Sequence, residues 1–166
     1  MMKGHRRRDI ENEQPQLKLL HHKMQMYCAY RERCKSEIIN KIKSLNGEIY
    51  LEEILNKLKE DNFWSEDRFI TQYILDKFEL SNWGFIKIII GLKQRMISES
   101  QYEILLPIIS TEDYNAKIDF LINRKRAYFS DEESPYVVKD KIYKYLLQKG
   151  FEPENIWPIL NKIILT

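Results

Sequence analysis

Apolar residues recur along most of this chain at spacings of three and four, the period that lines one face of an α-helix. Ile38, Ile39, Ile42 and Leu45 make one such set and Leu51, Ile54, Leu55 and Leu58 the next, with Asn46-Gly47 between them as a helix stop. Phe69, Ile70, Tyr73, Ile74 and Phe78 predict a further face, followed by Phe85, Ile88, Ile89, Leu92 and Met96, then by Tyr102, Leu105, Leu106 and Ile109. With a first helix over 17–33, six are accounted for. The β-branched run 85–90 could pass for a buried strand, but Gly91 is the one turn residue nearby and the helical spacing continues through Met96, so a helix is predicted. Ile118, Leu121 and Ile122 mark another helix between Tyr114 and Tyr128. Ser134-Pro135 supplies an N-cap and a first-turn proline for the next, which uses Val138, Ile142, Tyr145 and Leu146. The last begins near Glu152-Pro153 and uses Ile156, Leu160, Ile163 and Ile164, with Pro158 predicting a kink and Pro107 raising the same difficulty in the sixth helix. Residues 1–16 show no apolar periodicity and read as a polar, mobile tail.

The helix ends repeat. Leu58 and Phe63, Leu92 and Ile97, and Leu146 and Phe151 each place a large apolar residue five positions after a leucine, and Ser65, Ser98 and Glu152 then open the following helix. Ser98 with Gln101 forms a capping box. The stretch Leu92 to Ser98 matches Leu146 to Glu152 at an offset of 54 residues, a period suited to tandem three-helix modules. The predicted fold is therefore all-α, about nine helices in three modules spanning 17–64, 65–110 and 111–166, after the tail 1–16.

Composition agrees with this picture and narrows function little. A chain of 166 residues that is 43% hydrophobic and 31% charged is globular, and five Gly and five Pro are few for a many-stranded β protein. The net charge of +2 is too small to announce a nucleic-acid protein, although residues 1–35 hold nine Lys/Arg against four Asp/Glu and the remainder eighteen against twenty-one. The N-terminal charges are not followed by the apolar stretch of a signal peptide, and no apolar run approaches the roughly 20 residues of a membrane span. A cytoplasmic location without membrane contact is expected.

No catalytic constellation stands out. His21 and His22 are adjacent, about 100° apart on a helix, with no second pair at i+4, so surface histidines rather than metal ligands are expected. Cys28 and Cys34 lack a C-x-x-C partner set and read as reduced, structural thiols. Gly-rich phosphate loops, G-x-S-x-G and H-E-x-x-H are absent from the sequence. No enzyme, cofactor or metal is expected. Basic clusters remain: Arg6-Arg7-Arg8, Arg31 with Arg33 and Lys35, and Arg124-Lys125-Arg126. With Tyr27, Tyr30 and Tyr128 interleaved, they leave direct nucleic-acid binding as the alternative function. Trp83 and Trp157 are interface-type residues, though core packing is expected of both.

Four stretches, taken in order, resemble one family. Tyr27-Cys28-Ala29-Tyr30-Arg31-Glu32-Arg33-Cys34 with Glu37 and the Ile42 to Leu45 helix end is similar to the opening module of the regulatory RecX proteins, in the form found among Bacteroidetes-like sequences. Glu60 to Phe69 resembles the junction into their second module. Lys77-Phe78, Trp83-Gly84, Lys87-Ile88, Leu92-Lys93-Gln94 and Ile97-Ser98 resemble its middle, and Tyr145 to Glu154 with Trp157 the closing module. The likeness runs from about Tyr27 to Ile164. It implies an elongated, curved array that lodges in the groove of a RecA filament on single-stranded DNA and lowers strand exchange, ATP hydrolysis and SOS coprotease activity, and it leaves room for secondary contact with single- or double-stranded DNA. A monomer without a catalytic site is expected. The basic side chains selected as partner contacts are Arg31, Arg33, Lys35, Arg68, Lys87, Arg124, Lys125 and Arg126. Two departures stand out: Glu79-Leu80-Ser81-Asn82 replaces a loop that is basic in such relatives, and Ile70 replaces a small residue.

Overall fold

The structure, a computed structural model, describes residues 5–130 and 134–164, and the side chains of 15–130 and 134–163. Among the described residues there are nine α-helices and no strand: α1 (His5–Tyr30), α2 (Lys35–Ser44), α3 (Leu51–Glu60), α4 (Glu66–Glu79), α5 (Phe85–Lys93), α6 (Glu99–Tyr102), α7 (Thr111–Arg126), α8 (Pro135–Lys149) and α9 (Pro153–Ile164). Single 3-10 turns cover Glu48–Tyr50 and Leu106–Ile108. The chain forms two compact units, the first ending at Phe69 and the second beginning at Ile70.

In the first unit α1 packs on α2 and α3. Its contribution is the i, i+4, i+8 row Leu20, Met24 and Cys28, which meets Ile38 and Ile42 of α2 and Ile54, Leu55 and Leu58 of α3. Leu17, Tyr27, Ile39, Leu45, Tyr50, Leu51, Phe63 and Trp64 pack around them. The predicted first helix starts too late, because His5 to Gln16 belong to α1. Residues 5–16 are rich in Arg, Glu and Gln, which propagate a helix readily without an apolar face. Residues 1–4 of the expected tail lie outside the described residues.

In the second unit α7, α8 and α9 pack on one another, burying Ile118, Leu121 and Ile122 against elements that contribute Val138, Ile142, Leu146, Ile156 and Leu160. Ile70, Tyr73, Ile74 and Phe78 of α4 and Ile88 and Leu92 of α5 are buried as their spacing predicts. The sixth helix is shorter than expected. It ends at Tyr102, and Pro107, which cannot donate to a helical ladder, is accommodated in the 3-10 turn while Tyr102 and Ile109 stay buried. α9 continues through Pro158.

The repeated helix ends are Schellman turns, in which a left-handed residue reverses the chain and two amides return to the last carbonyls. Asn62 (φ 59°), Met96 (φ 63°) and Gly150 (φ 88°) occupy the left-handed position. The amides of Phe63, Ile97 and Phe151 then donate to the carbonyls of Leu58 (2.9 Å), Leu92 (3.2 Å) and Leu146 (3.1 Å). A fourth such turn follows α2, with Asn46 at φ 55° and the Gly47 amide 3.0 Å from the Ile42 carbonyl. This corrects the reading of Met96: it is no core residue at the end of α5 but the turn residue, 86% exposed, and Ile97 is the buried one.

At one of these turns two helix ends are joined. The amides of Gly84 and Ile86, at the start of α5, donate to the carbonyls of Lys149 (2.9 Å) and Gly150 (3.1 Å) at the end of α8. The Phe85 amide between them donates to the Tyr114 hydroxyl at 3.0 Å, and that hydroxyl in turn donates to the Glu152 carboxylate. Phe85 stacks on the Tyr114 ring, 4.2 Å between centroids, and Phe151 tilts against it at 5.3 Å. Three of the amides that a helix start leaves orphaned are thereby satisfied. A Cβ on Gly84 would lie 2.3 Å from the Gly150 carbonyl oxygen, and one on Gly150 would lie 2.6 Å from the Lys87 backbone nitrogen.

Two substitutions separate these effects. Gly84→Ala forces backbone apart and is expected to cost on the order of 3 kcal/mol, whereas Met96→Gly removes a left-handed side chain from solvent and is expected to stabilise by about 1 kcal/mol. Urea unfolding of the purified variants measures both, and equal effects at the two sites would contradict the account.

Candidate partner-binding surface

Three basic side chains of the first unit, Arg31, Arg33 and Arg68, are engaged by acids of the same unit. Glu37, the third residue of α2, accepts from the Cys34 amide at 3.2 Å, closing that helix start. Arg31 makes an ion pair with the same carboxylate, and Arg33 reaches it at 3.5 Å. Arg33 also lies over the Tyr27 ring, 4.0 Å from its centroid, with only 11% of its side chain exposed. Arg68 pairs with Glu32 at 2.9 Å and donates to Asn62. The Lys35 amide is capped by Glu66 at 3.1 Å, and the side chain of Lys35 is exposed. Arg33 and Arg68 therefore brace the turns that join helices, and Arg31 and Lys35 present their charge at the surface beside carboxylates.

Burial governs the titratable groups here. Burial pushes the Cys28 thiol up to about 11, against the opposing charge of Arg33 and with help from Glu32 and Glu37. It also raises Cys34, outweighing the hydrogen bond with Ser36. Burial opposes ionisation of Glu37 too, but hydrogen bonds from Arg31 and the Cys34 amide prevail and hold its carboxyl below the usual range. Burial raises Glu66, partly offset by the Lys35 amide.

In the second unit cations and aromatic rings alternate. The ammonium groups of Lys77 and Lys87 each lie 4.9 Å from the centre of the Trp83 ring. Lys87 also donates to the Gln148 carbonyl at 3.3 Å, and the next residue, Lys149, donates to the Ser81 carbonyl at 3.3 Å while lying 5.9 Å from the Tyr145 ring. Lys125 lies 5.2 Å from that same ring and 5.8 Å from Tyr128, and Arg124 reaches the Tyr145 hydroxyl at 3.4 Å and the Phe120 ring at 5.4 Å. Among the described residues none of these five cations has a carboxylate within ion-pair distance. Phe120 and Tyr128 are exposed at the end of the row. Arg126 is not in it: its guanidinium donates to the Ile163 carbonyl at 2.9 Å and caps the last turn of α9.

The sequence reading selected Lys87, Arg124 and Lys125 but missed Lys77 and Lys149, and it assigned Trp83 and Trp157 to the core. Trp83 is instead a partly exposed platform for two lysines, and Trp157 is 40% exposed and stacks on Tyr143 at 4.4 Å. The signal for Lys77 and Lys149 was their place at the ends of α4 and α8, where a basic residue complements the helix dipole. Groups of three or more His, Cys, Asp or Glu suited to a metal ion are absent among the described residues, where no helix is long and apolar enough to cross a membrane.

The unfolded state releases its thiol protons first, so the stability contributed by buried Cys28 is complete below pH 9 and is lost as pH rises toward about 11. Native protein at pH 8 is expected to resist alkylation at Cys28 and Cys34, both of which should react in denaturant, and its melting temperature should fall between pH 9 and 11. Mass-spectrometric counting of alkylated sites and melting scans check this; rapid native labelling would contradict it.

No protein-family model matches the chain. It is 31% identical over 130 residues to the regulatory protein RecX of Finegoldia magna, covering 75% of this chain and 62% of that protein. Its identity to the regulatory protein RecX of Clostridium botulinum is 27% over 125 residues, covering 72% and 58%. The chain thus spans about three-fifths of the length of these curated relatives. In fold it is similar to the crystal structure of RecX from Lactobacillus salivarius, with a TM-score of 0.82 at 23% identity over 90% of this chain and 97% of that one. A second crystal structure, of a regulatory protein RecX, gives 0.80 at 19% identity over 99% and 80%.

Proposed function

We propose that this chain, which belongs to the RecX family, is a regulatory protein that binds the RecA filament on single-stranded DNA and lowers its recombinase, ATPase and SOS coprotease activity. The likeness to proteins named as regulators supports the class of function, and the row of unpaired cations over aromatic rings on the second unit is the observation that carries the contact. In this reading the three-helix modules 17–64, 65–110 and 111–166 engage neighbouring filament subunits. Several weak contacts then act together through a high effective concentration, so no single one needs to be strong. The protein acts as a cytoplasmic monomer and performs no chemistry of its own.

Arg31, Lys35, Lys87, Arg124 and Lys125 remain proposed contacts. Arg33, Arg68 and Arg126 are proposed only as indirect contributors, since their guanidinium groups are engaged by Tyr27 and Glu37, by Glu32 and Asn62, and by the end of α9. A second reading is direct binding of nucleic acid, favoured by Arg124 over exposed Phe120 and Lys125 over exposed Tyr128, because a cation beside an open ring can hold a phosphate while a base stacks.

Titration of this protein into preformed filaments of the cognate RecA, followed by DNA-dependent ATP hydrolysis, tests the first reading beside an oligo(dT) binding control. Inhibition is expected well below one protein per RecA subunit. The double variant Arg124→Glu, Lys125→Glu should need about tenfold more protein for the same effect, a change of roughly 1.4 kcal/mol. Unchanged hydrolysis together with tight oligo(dT) binding that falls steeply with salt would replace the first reading by the second.

A further inference from the structure

α5 is the most thoroughly apolar helix of the second unit, Phe85-Ile86-Lys87-Ile88-Ile89-Ile90-Gly91-Leu92-Lys93, and its own unit uses only part of it. Ile88 and Leu92 are fully buried and Phe85 stacks on Tyr114. Ile86 and Ile90 fall at i, i+4 on another face and stay 43% and 51% exposed. A helix turns about 100° per residue, so Lys93 continues this ridge within about 20° of Ile86, and Lys87 stands on its flank. Lys93 is exposed, and the polar partner of the Lys87 ammonium is the neutral Gln148 carbonyl. Neither lysine has an ion-pair partner among the described residues.

A single exposed isoleucine carries no message. Two β-branched side chains one helical turn apart, bordered by cations without counter-charge, make a ridge with a charged rim, which is what one helix offers to another at an interface. We infer that the Ile86–Ile90 ridge of α5 is a docking site for an acidic amphipathic helix of a protein partner, with the partner's apolar side chains seated on Ile86 and Ile90 and its carboxylates on Lys87 and Lys93. Charge complementarity selects an acidic segment over a basic one. The aliphatic ridge selects protein over nucleic acid, because phosphates need only cations and bases stack on aromatic planes, and this ridge holds none. Docking of such a helix shares Lys87 with the proposed filament contacts but does not require the filament.

The test uses the full chain and four fluorescent probes read by anisotropy. One is an 18-residue peptide with Leu at i, i+3, i+4 and i+7 and Glu elsewhere; the others are the same peptide with Lys for Glu, the same with Ser for Leu, and oligo(dT). Saturable binding of the Leu/Glu peptide alone among the three peptides is expected. The double variant Ile86→Ala, Ile90→Ala should weaken it about tenfold and Lys93→Glu about fivefold. Ala is the better helix former, and an unchanged melting temperature confirms the fold of each variant. No binding by the wild type, equal binding of the Ser peptide, or unaltered affinity of the Ile variants would each overturn the site. So would a loss of oligo(dT) binding in the Ile variants with the peptide unaffected, which would make nucleic acid the occupant. Because the filament plays no part in this assay, a wild type that binds the peptide but leaves RecA unchanged would count against the proposed function alone.

Discussion

The second unit depends on a joint at which α8 ends against the start of α5. The left-handed turn at Gly150 brings two carbonyls of α8 onto the amides of Gly84 and Ile86, and the Tyr114 hydroxyl takes the amide between them. The negative end of one helix dipole meets the positive end of another, so orphaned backbone groups on both sides are satisfied within the protein. Steric room sets the constraint: each glycine faces backbone closer than a Cβ tolerates. Burial and the bond to Glu152 both push the Tyr114 phenol up, so it stays a neutral donor at the centre of the joint.

The cation row is a consequence of this joint. Lys87 and Lys149 lie three residues after Gly84 and one before Gly150, and their ammonium groups donate to the Gln148 carbonyl at the end of α8 and to the Ser81 carbonyl in the loop before α5. Trp83 precedes Gly84 and is held between Lys77 and Lys87. Bonds to carbonyls orient an ammonium without cancelling its charge, whereas Arg33 and Arg68 are held in ion pairs with carboxylates. This difference in partner, rather than in the number of basic residues, leaves the charge of the row uncancelled.

Much of the fold was legible in the chain. The spacing of Ile38 and Ile42, of Ile54 and Leu58, and of Ile118, Leu121 and Ile122 names buried faces directly, because a helix repeats its environment every 3.6 residues. The pairing of Leu58 with Phe63, Leu92 with Ile97 and Leu146 with Phe151 was visible as a repeat before its geometry was known. Met96 was misread because a left-handed position usually carries Gly or Asn, and a methionine there hides the turn inside an apolar pattern. The start of α1 was missed because Arg, Glu and Gln can extend a helix with no face to bury, and periodicity detects only burial.

Local spacing was enough to determine the all-α class, most helix faces and the helix-end repeat, and the ordered motifs carried the resemblance to RecX proteins. Which charges are available was settled by tertiary packing alone. Arg33 and Lys125 look alike in a string of letters, yet one is folded under a tyrosine and a glutamate of its own unit and the other faces open rings. Whether a cation is neutralised or free depends on what the turns bring beside it from tens of residues away, and spacing along the chain does not encode that.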